Sequence, residues 1–197
     1  MSTPRQGEST GLGPLVKGVV VLSLVILALT GITRACSFSP TTPDVDRSRI
    51  PRVDVATRTA TAGVDFALRT PALPADWIGQ SFDVHPIGPG GAVTDPATAG
   101  AAVPRAVRVG WVTPDDHFLR LVQSPAPEAD LVASEQGDPA ARGAVGAGGT
   151  TWVEHAGVRG ESMWVADAGG VRLLITGDAP AREFTTLATA TLAAPAR

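Results

Sequence analysis

Residues 18–33 (Gly-Val-Val-Val-Leu-Ser-Leu-Val-Ile-Leu-Ala-Leu-Thr-Gly-Ile-Thr) carry no charge and lie between Lys17 and Arg34. With Leu15, Val16 and the aliphatic stem of Lys17 added, the run reaches the roughly 20 positions an α-helix needs to cross ~30 Å of hydrocarbon. That one feature divides the chain. Residues 1–14 read as a cytoplasmic tail, 15–35 as a transmembrane anchor, 36–60 as a linker and 61–197 as one extracytoplasmic domain, long enough to bury a core of its own.

Orientation follows less directly. Arg5 and Lys17 precede the run, whereas Arg34, Arg47, Arg49 and Arg52 follow it, so a plain positive-inside count points the domain inward. Long C-terminal domains translocate largely regardless of nearby charge, and Asp44, Asp46 and Asp54 interleave those arginines. The expectation is a single-pass cell-membrane protein with its domain outside the cytoplasm. The only cysteine, Cys36, permits no intrachain disulfide, so stability must come from packing. Arg34 stands where a lipoprotein signal needs a small neutral side chain, and it also argues against cleavage after Ala35.

Net charge is −3, and of 16 basic residues only Lys17 is a lysine, with no basic stripe of the kind a phosphate backbone requires. Nucleic acid is therefore not an expected partner. Residues 37–60 are rich in Ser, Thr, Pro and charge and read as a stalk. Val64, Phe66 and Leu68 then alternate with Asp65, Ala67 and Arg69 as a strand or extended lead-in, Trp77 reads as a hydrophobic plug, 80–87 as a strand and 88–100 as loop.

Shifting the chain by 53 residues aligns Trp111-Val112 with Trp164-Val165, Leu121-Val122 with Leu174-Ile175, Ala126-Pro127 with Ala179-Pro180 and Leu131 with Phe184. Each copy reads as strand, tight turn, strand and Pro-started helix. In the first, 106–112 and 118–123 flank Thr113-Pro114-Asp115-Asp116 and 127–136 is helical. The second has 161–166 and 171–176 flanking Asp167-Ala168-Gly169-Gly170, with a helix over 179–192 capped by Asp178. Phe82-Asp83-Val84-His85 and Trp152-Val153-Glu154-His155 add a leading strand to each, leaving the Gly-rich 143–149 as a flexible connector. The resulting expectation is an α+β fold: after the transmembrane helix, an antiparallel sheet with helices on one face, built from two βββα repeats (about 79–137 and 149–194) related by a pseudo-twofold axis.

Catalytic signals are absent from this pattern. Ser124 and Ser134 lack a motif that would aim a hydroxyl, and the Gly-rich 143–149 stretch has no following Lys-Ser or Lys-Thr, so it is not a phosphate loop. His85, His117 and His155 have no metal-ligand spacing, and Asp115-Asp116-His117 reads as a hairpin turn. No catalytic residue, metal ligand or cofactor is assigned. The strands 118–123 and 171–176 are apolar on both alternations, more than one helical layer can cover. The face opposite the helices, carrying Trp111, Leu119, Leu121, Trp164, Leu173 and Ile175, is thus the candidate surface for an envelope protein or an apolar ligand.

Trp111-Val112-Thr113-Pro114-Asp115 with Leu119-Arg120-Leu121-Val122-Gln123-Ser124, together with Leu73-Pro74-Ala75-Asp76-Trp77, Gly149-Thr150-Thr151-Trp152 and residues 171–177, resembles a family of actinobacterial membrane proteins, domain of unknown function number 4245. The resemblance runs from the anchor to the C-terminus. It implies one N-terminal membrane helix and an extracytoplasmic domain, and brings no catalytic residue with it. The expected function is a non-catalytic, membrane-anchored binding or interaction module at the cell envelope. Two alternatives stand beside it: an envelope hydrolase using His155 with Glu154 or Asp115, and a lipid or lipoprotein carrier, which requires an enclosed apolar cavity between sheet and helices.

Overall fold

A computed structural model describes residues 12–33, 46–93, 95 and 103–197. Leu12–Thr33 form helix α1, and its described side chains, Val16 to Ile26, are all exposed, with Val21, Leu22 and Leu24 at 60%, 61% and 60%. Those side chains span about 16 Å at the usual helical rise. Among the described residues no helix is long and apolar enough to cross a membrane. Cys36 lies outside the described residues.

Asp46–Arg197 form one compact unit. Its start belongs to the stretch that composition assigns to the stalk, and contacts from Arg47 and Val53 dock it. Arg47 donates to the carbonyls of Thr113 (2.7 Å) and Asp76 (2.7 Å) and pairs with Asp116, so one guanidinium clamps the turn after the second strand. The Val53 amide donates to Gly79 O (2.8 Å). Helix α2 (Val55–Ala60) is then capped by Asp54, whose carboxylate accepts the Thr57 amide at 3.1 Å.

The sheet consists of β1 (Ile78–Pro86), β2 (Arg105–Val112), β3 (Phe118–Ser124), β4 (Asp138–Ala147), β5 (Thr150–Ala156), β6 (Ser162–Asp167) and β7 (Arg172–Gly177). All neighbours are antiparallel in the order β1-β2-β3-β7-β6-β5-β4, with α3 (Glu128–Ser134) after β3 and α4 (Ala181–Ala193) after β7. The α+β class and the antiparallel sheet follow the sequence reading. The placing of the helices does not.

Successive residues of a strand point to opposite faces, and here each face has its own helix. Leu121 belongs to the cluster of Trp111, Leu119, Trp152, Trp164, Leu173 and Ile175 beneath Phe184, Leu187 and Ala188 of α4. The next residue, Val122, belongs to the cluster of Ala106, Met163, Val165 and Leu174 beneath Leu131 and Val132 of α3. The expectation of helices on one face is corrected accordingly: β3 and β7 are apolar on both alternations because they are central strands sandwiched between two helical layers.

The two βββα repeats are not confirmed as superposable units. The order does set β1-β2-β3 against β7-β6-β5, with β3 and β7 antiparallel at the centre, but β4 has no counterpart. The 53-residue shift pairs Trp111 with Trp164, both on the α4 face, yet it pairs Leu121 with Leu174 and Leu131 with Phe184, which lie on opposite faces. A twofold axis through the sheet preserves faces, so no single rotation satisfies both sets.

Three local expectations change as well. The 143–149 connector is the end of strand β4 plus its turn, Gly148 and Gly149 sitting at φ 59° and 78° as the tight hairpin requires. Asp178 does not cap α4, whose N-cap is Pro180; its carboxylate accepts the Phe118 amide at 2.7 Å, tying the end of β7 to the start of β3. Residues 64–69 pair only at the Arg69–Ala196 bridge, where Leu68 and Arg197 exchange backbone hydrogen bonds of 2.8 and 3.0 Å. Of the 88–100 loop, Pro89–Gly91 form a short 3-10 turn, and residue 94 and residues 96–100 lie outside the described set.

Candidate functional site

The six surface candidates come together, but as interior. Trp111 (4% exposed), Leu119, Leu121, Trp164, Leu173 and Ile175 all sit under α4, with the Trp164 and Phe184 rings 5.0 Å apart. The face they occupy bears a helix, so the open groove expected there is filled with side chains.

The histidines separate. Strand alternation puts His155 on the α3 face and Glu154, its chain neighbour, on the α4 face with Trp164. The His155 ring, 2% exposed, stands instead between Glu128 Oε1 (3.1 Å) and the Asp138 carbonyl (3.2 Å), and Asp115 pairs with Arg182. His117 Nδ1 lies 3.9 Å from Asp178. Neither acid expected to work with His155 is therefore beside it. Among the described residues no group of three His, Cys, Asp or Glu side chains is arranged to hold a metal ion.

A polar network that sequence reading missed occupies the part of the α3 face that this seven-residue helix is too short to cover. Glu135, just past the C-terminus of α3, is 3% exposed at its side chain and lies 2.5 Å from Arg108 Nε and 2.8 Å from Arg120 Nη1. A carboxylate at the negative end of a helix dipole is unfavourable, and the two guanidinium groups offset that cost. Arg108 also approaches Asp83 at 4.0 Å, and Asp83 lies 2.9 Å from His85 Nδ1. Burial pushes the Asp83 carboxyl up, but the His85 hydrogen bond and the charges of His85, Arg108 and Arg120 outweigh it and hold the group below its ordinary value. Nε2 of His85 is buried with no hydrogen-bond partner among the described residues. A His–Asp pair has the form of a general base, but no hydroxyl or thiol among the described residues is bonded to its Nε2. The clue available in sequence was alternation: Asp83 and His85, Arg108, and Arg120 fall on the same face of three adjacent strands.

The chain also has a cavity of about 540 Å³ at the margin of the domain, between α2, residues 62–70 and the segment around Arg197. Ala56 and Ala60 of α2 form one wall and Val64, Phe66 and Leu68 the other. Small residues on the helix make the room. Thr70 and Arg197 also line it, and the Arg197 guanidinium has no ion pair among the described residues. The size falls within the 300–1,000 Å³ usual for small-molecule sites.

The molecule is thus an α+β domain with one helix on each face of an antiparallel sheet, an ion-pair network on one face and a small-walled apolar groove at its edge. The chain belongs to the family described as protein of unknown function (DUF4245), whose profile matches residues 12–191. Neither a curated protein nor a solved structure matches it.

Proposed function

We propose that the chain is a non-catalytic binding module of the cell envelope, anchored by its N-terminal helix with the domain outside the cytoplasm, and that its ligand is an apolar chain bearing an anionic head. The observation that carries this reading is the marginal groove: aliphatic and aromatic walls for a hydrocarbon, and in its lining an arginine whose side chain has no ion pair among the described residues, suited to a carboxylate. Anchoring is supported by the uncharged 18–33 run and by the exposure of every described side chain of α1, a surface that water tolerates poorly.

The alternatives have less behind them. A hydrolase built on His155 lacks both proposed acids, since Glu154 faces away and Asp115 is held by Arg182. A carrier with its cargo between sheet and helix needs space that Trp152, Trp164, Phe184 and Leu187 fill.

Equilibrium dialysis of radiolabelled dodecanoate against the full chain in lipid nanodiscs, with empty nanodiscs as the blank, tests the groove. Saturable binding that Ala60→Trp reduces about tenfold or more, and Arg197→Gln reduces less, is expected. Binding equal to the blank, or indifferent to Ala60→Trp, overturns the reading.

A further inference from the structure

The two edges of the sheet are treated differently, and the difference points to a partner. Along β1 the edge is occupied: the Val53 amide bonds Gly79 O, and Arg58 of α2 lies over the Phe82 ring at 5.5 Å. At the other edge, β4 pairs only with β5, and no described residue bonds its outer side. Unpaired edges are templates for another strand, which proteins usually block with charge, proline or bulges. The first half of β4 carries all three, in Pro139, Arg142 and register breaks between Asp138, Ala141 and Gly143. Its second half, Gly143 to Ala147, carries none.

Ala147 and Thr150 flank the two-residue Gly148-Gly149 turn and so exchange both backbone hydrogen bonds, as every second pair back along β4 does. The N–H and C=O groups of Ala144 and Gly146 consequently point outward. Antiparallel pairing of this edge with itself, centred on Val145, sets Ala144 against Gly146 of the other copy and Gly146 against its Ala144, making four backbone hydrogen bonds about a twofold axis. The facing side chains are Gly, Ala and Val, which admit close approach. Each Arg142 falls beside the partner's Gly148, so like charges do not meet.

We infer that β4 is the interface for a second copy of this chain, joining two sheets into one continuous antiparallel sheet. Twofold dimers, which such a self-complementary edge would form, are the commonest closed assemblies.

The test uses the full-length chain in detergent micelles with Cys36→Ser. Val145→Cys places the two sulfurs in a pair whose Cα atoms are about 4.5 Å apart, within disulfide range. Oxidation is expected to give a covalent dimer with Val145→Cys, a half-buried position, and none with Val158→Cys, an exposed position away from this edge. Adding Ala144→Pro, which removes an outward N–H without touching the β4–β5 ladder, abolishes the crosslink and shifts the sedimenting species from dimer to monomer. Should that variant lose its far-ultraviolet circular dichroism, Ala144→Lys makes the same cut by bringing two ammonium groups across the axis. A chain monomeric at about 100 μM, where even a weak specific dimer populates, equal crosslinking at 145 and 158, or a dimer indifferent to both Ala144 variants overturns the inference. So does a monomer that takes up only a foreign extended peptide at β4.

Discussion

The two faces of the sheet solve the same problem with different chemistry. On the α4 face a 13-residue helix packs over tryptophans and a run of Leu and Ile, so burial dominates, with Arg69 donating to the Leu192 and Ala194 carbonyls at the helix end and Arg182 pairing with Asp115 at its start. On the opposite face α3 has only seven residues; it covers Val122, Met163, Val165 and Leu174 and leaves the remainder to charge, with Glu135, Arg108, Arg120, Asp83 and His85 linked along three strands and a helix end. The lesson is that helix length sets how far a face can be hydrophobic, and the ion pairs begin where the helix stops.

Deep truncation on the α4 side breaks the comparison most severely. Phe184→Ala removes a side chain 1% exposed and is expected to cost about 3–5 kcal/mol, read as a lower midpoint in urea. A cost under about 1 kcal/mol would mean that this face is not a closed core. On the α3 side, Glu135→Gln leaves two guanidinium groups facing a neutral amide. The expected loss is about 3 kcal/mol, reduced in part by the solvent reaching Arg120, whereas a neutral outcome would reduce the network to surface decoration.

How far the chain announces this division is uneven. The hairpin 106–123, the strand at 171–176 and the stripe of Phe184, Leu187, Ala188 and Thr191 are all legible, because periods of two and 3.6 leave their mark wherever a face is buried. The side of the sheet on which each helix lies is not. Leu131 and Phe184 look equivalent after a 53-residue shift, and only the parity of the strand register, one residue different between β3 and β7, puts them on opposite faces. Strand β4 was hidden for a different reason. An edge strand needs no packing side chains, so Gly143-Ala144-Val145-Gly146 carries the composition of a loop. The groove is likewise silent in sequence, since it is made by what Ala56 and Ala60 lack.

Smaller changes sharpen the contrast. Glu128→Gln removes the carboxylate 3.1 Å from His155 and should cost about 1 kcal/mol, seen as faster amide exchange at the start of α3 with α4 unchanged; equal loosening of both helices would contradict separate support. Asp83 has the smallest effect at neutral pH and a characteristic dependence. A carboxyl whose folded value is depressed contributes stability above its unfolded value, 3.8, and loses it as pH falls through the folded one. Asp83→Asn should therefore lower the neutral plateau modestly, flatten the acid limb of the stability curve below about pH 4 and converge with the unsubstituted chain at the acid end. An acid limb identical to that of the unsubstituted chain would show that the carboxylate is not coupled to Arg108 and His85.

The most direct test of the account asks where an apolar ligand touches the chain. Dodecanoate carrying a diazirine at its methyl end, photolysed with the full chain in nanodiscs and located by peptide mass spectrometry, is predicted to label residues 56–68 and to lose that labelling with Ala60→Trp. Label on peptides carrying Trp111, Leu119 or Leu173 would contradict it, because the α4 face would then have to open where it is described as closed.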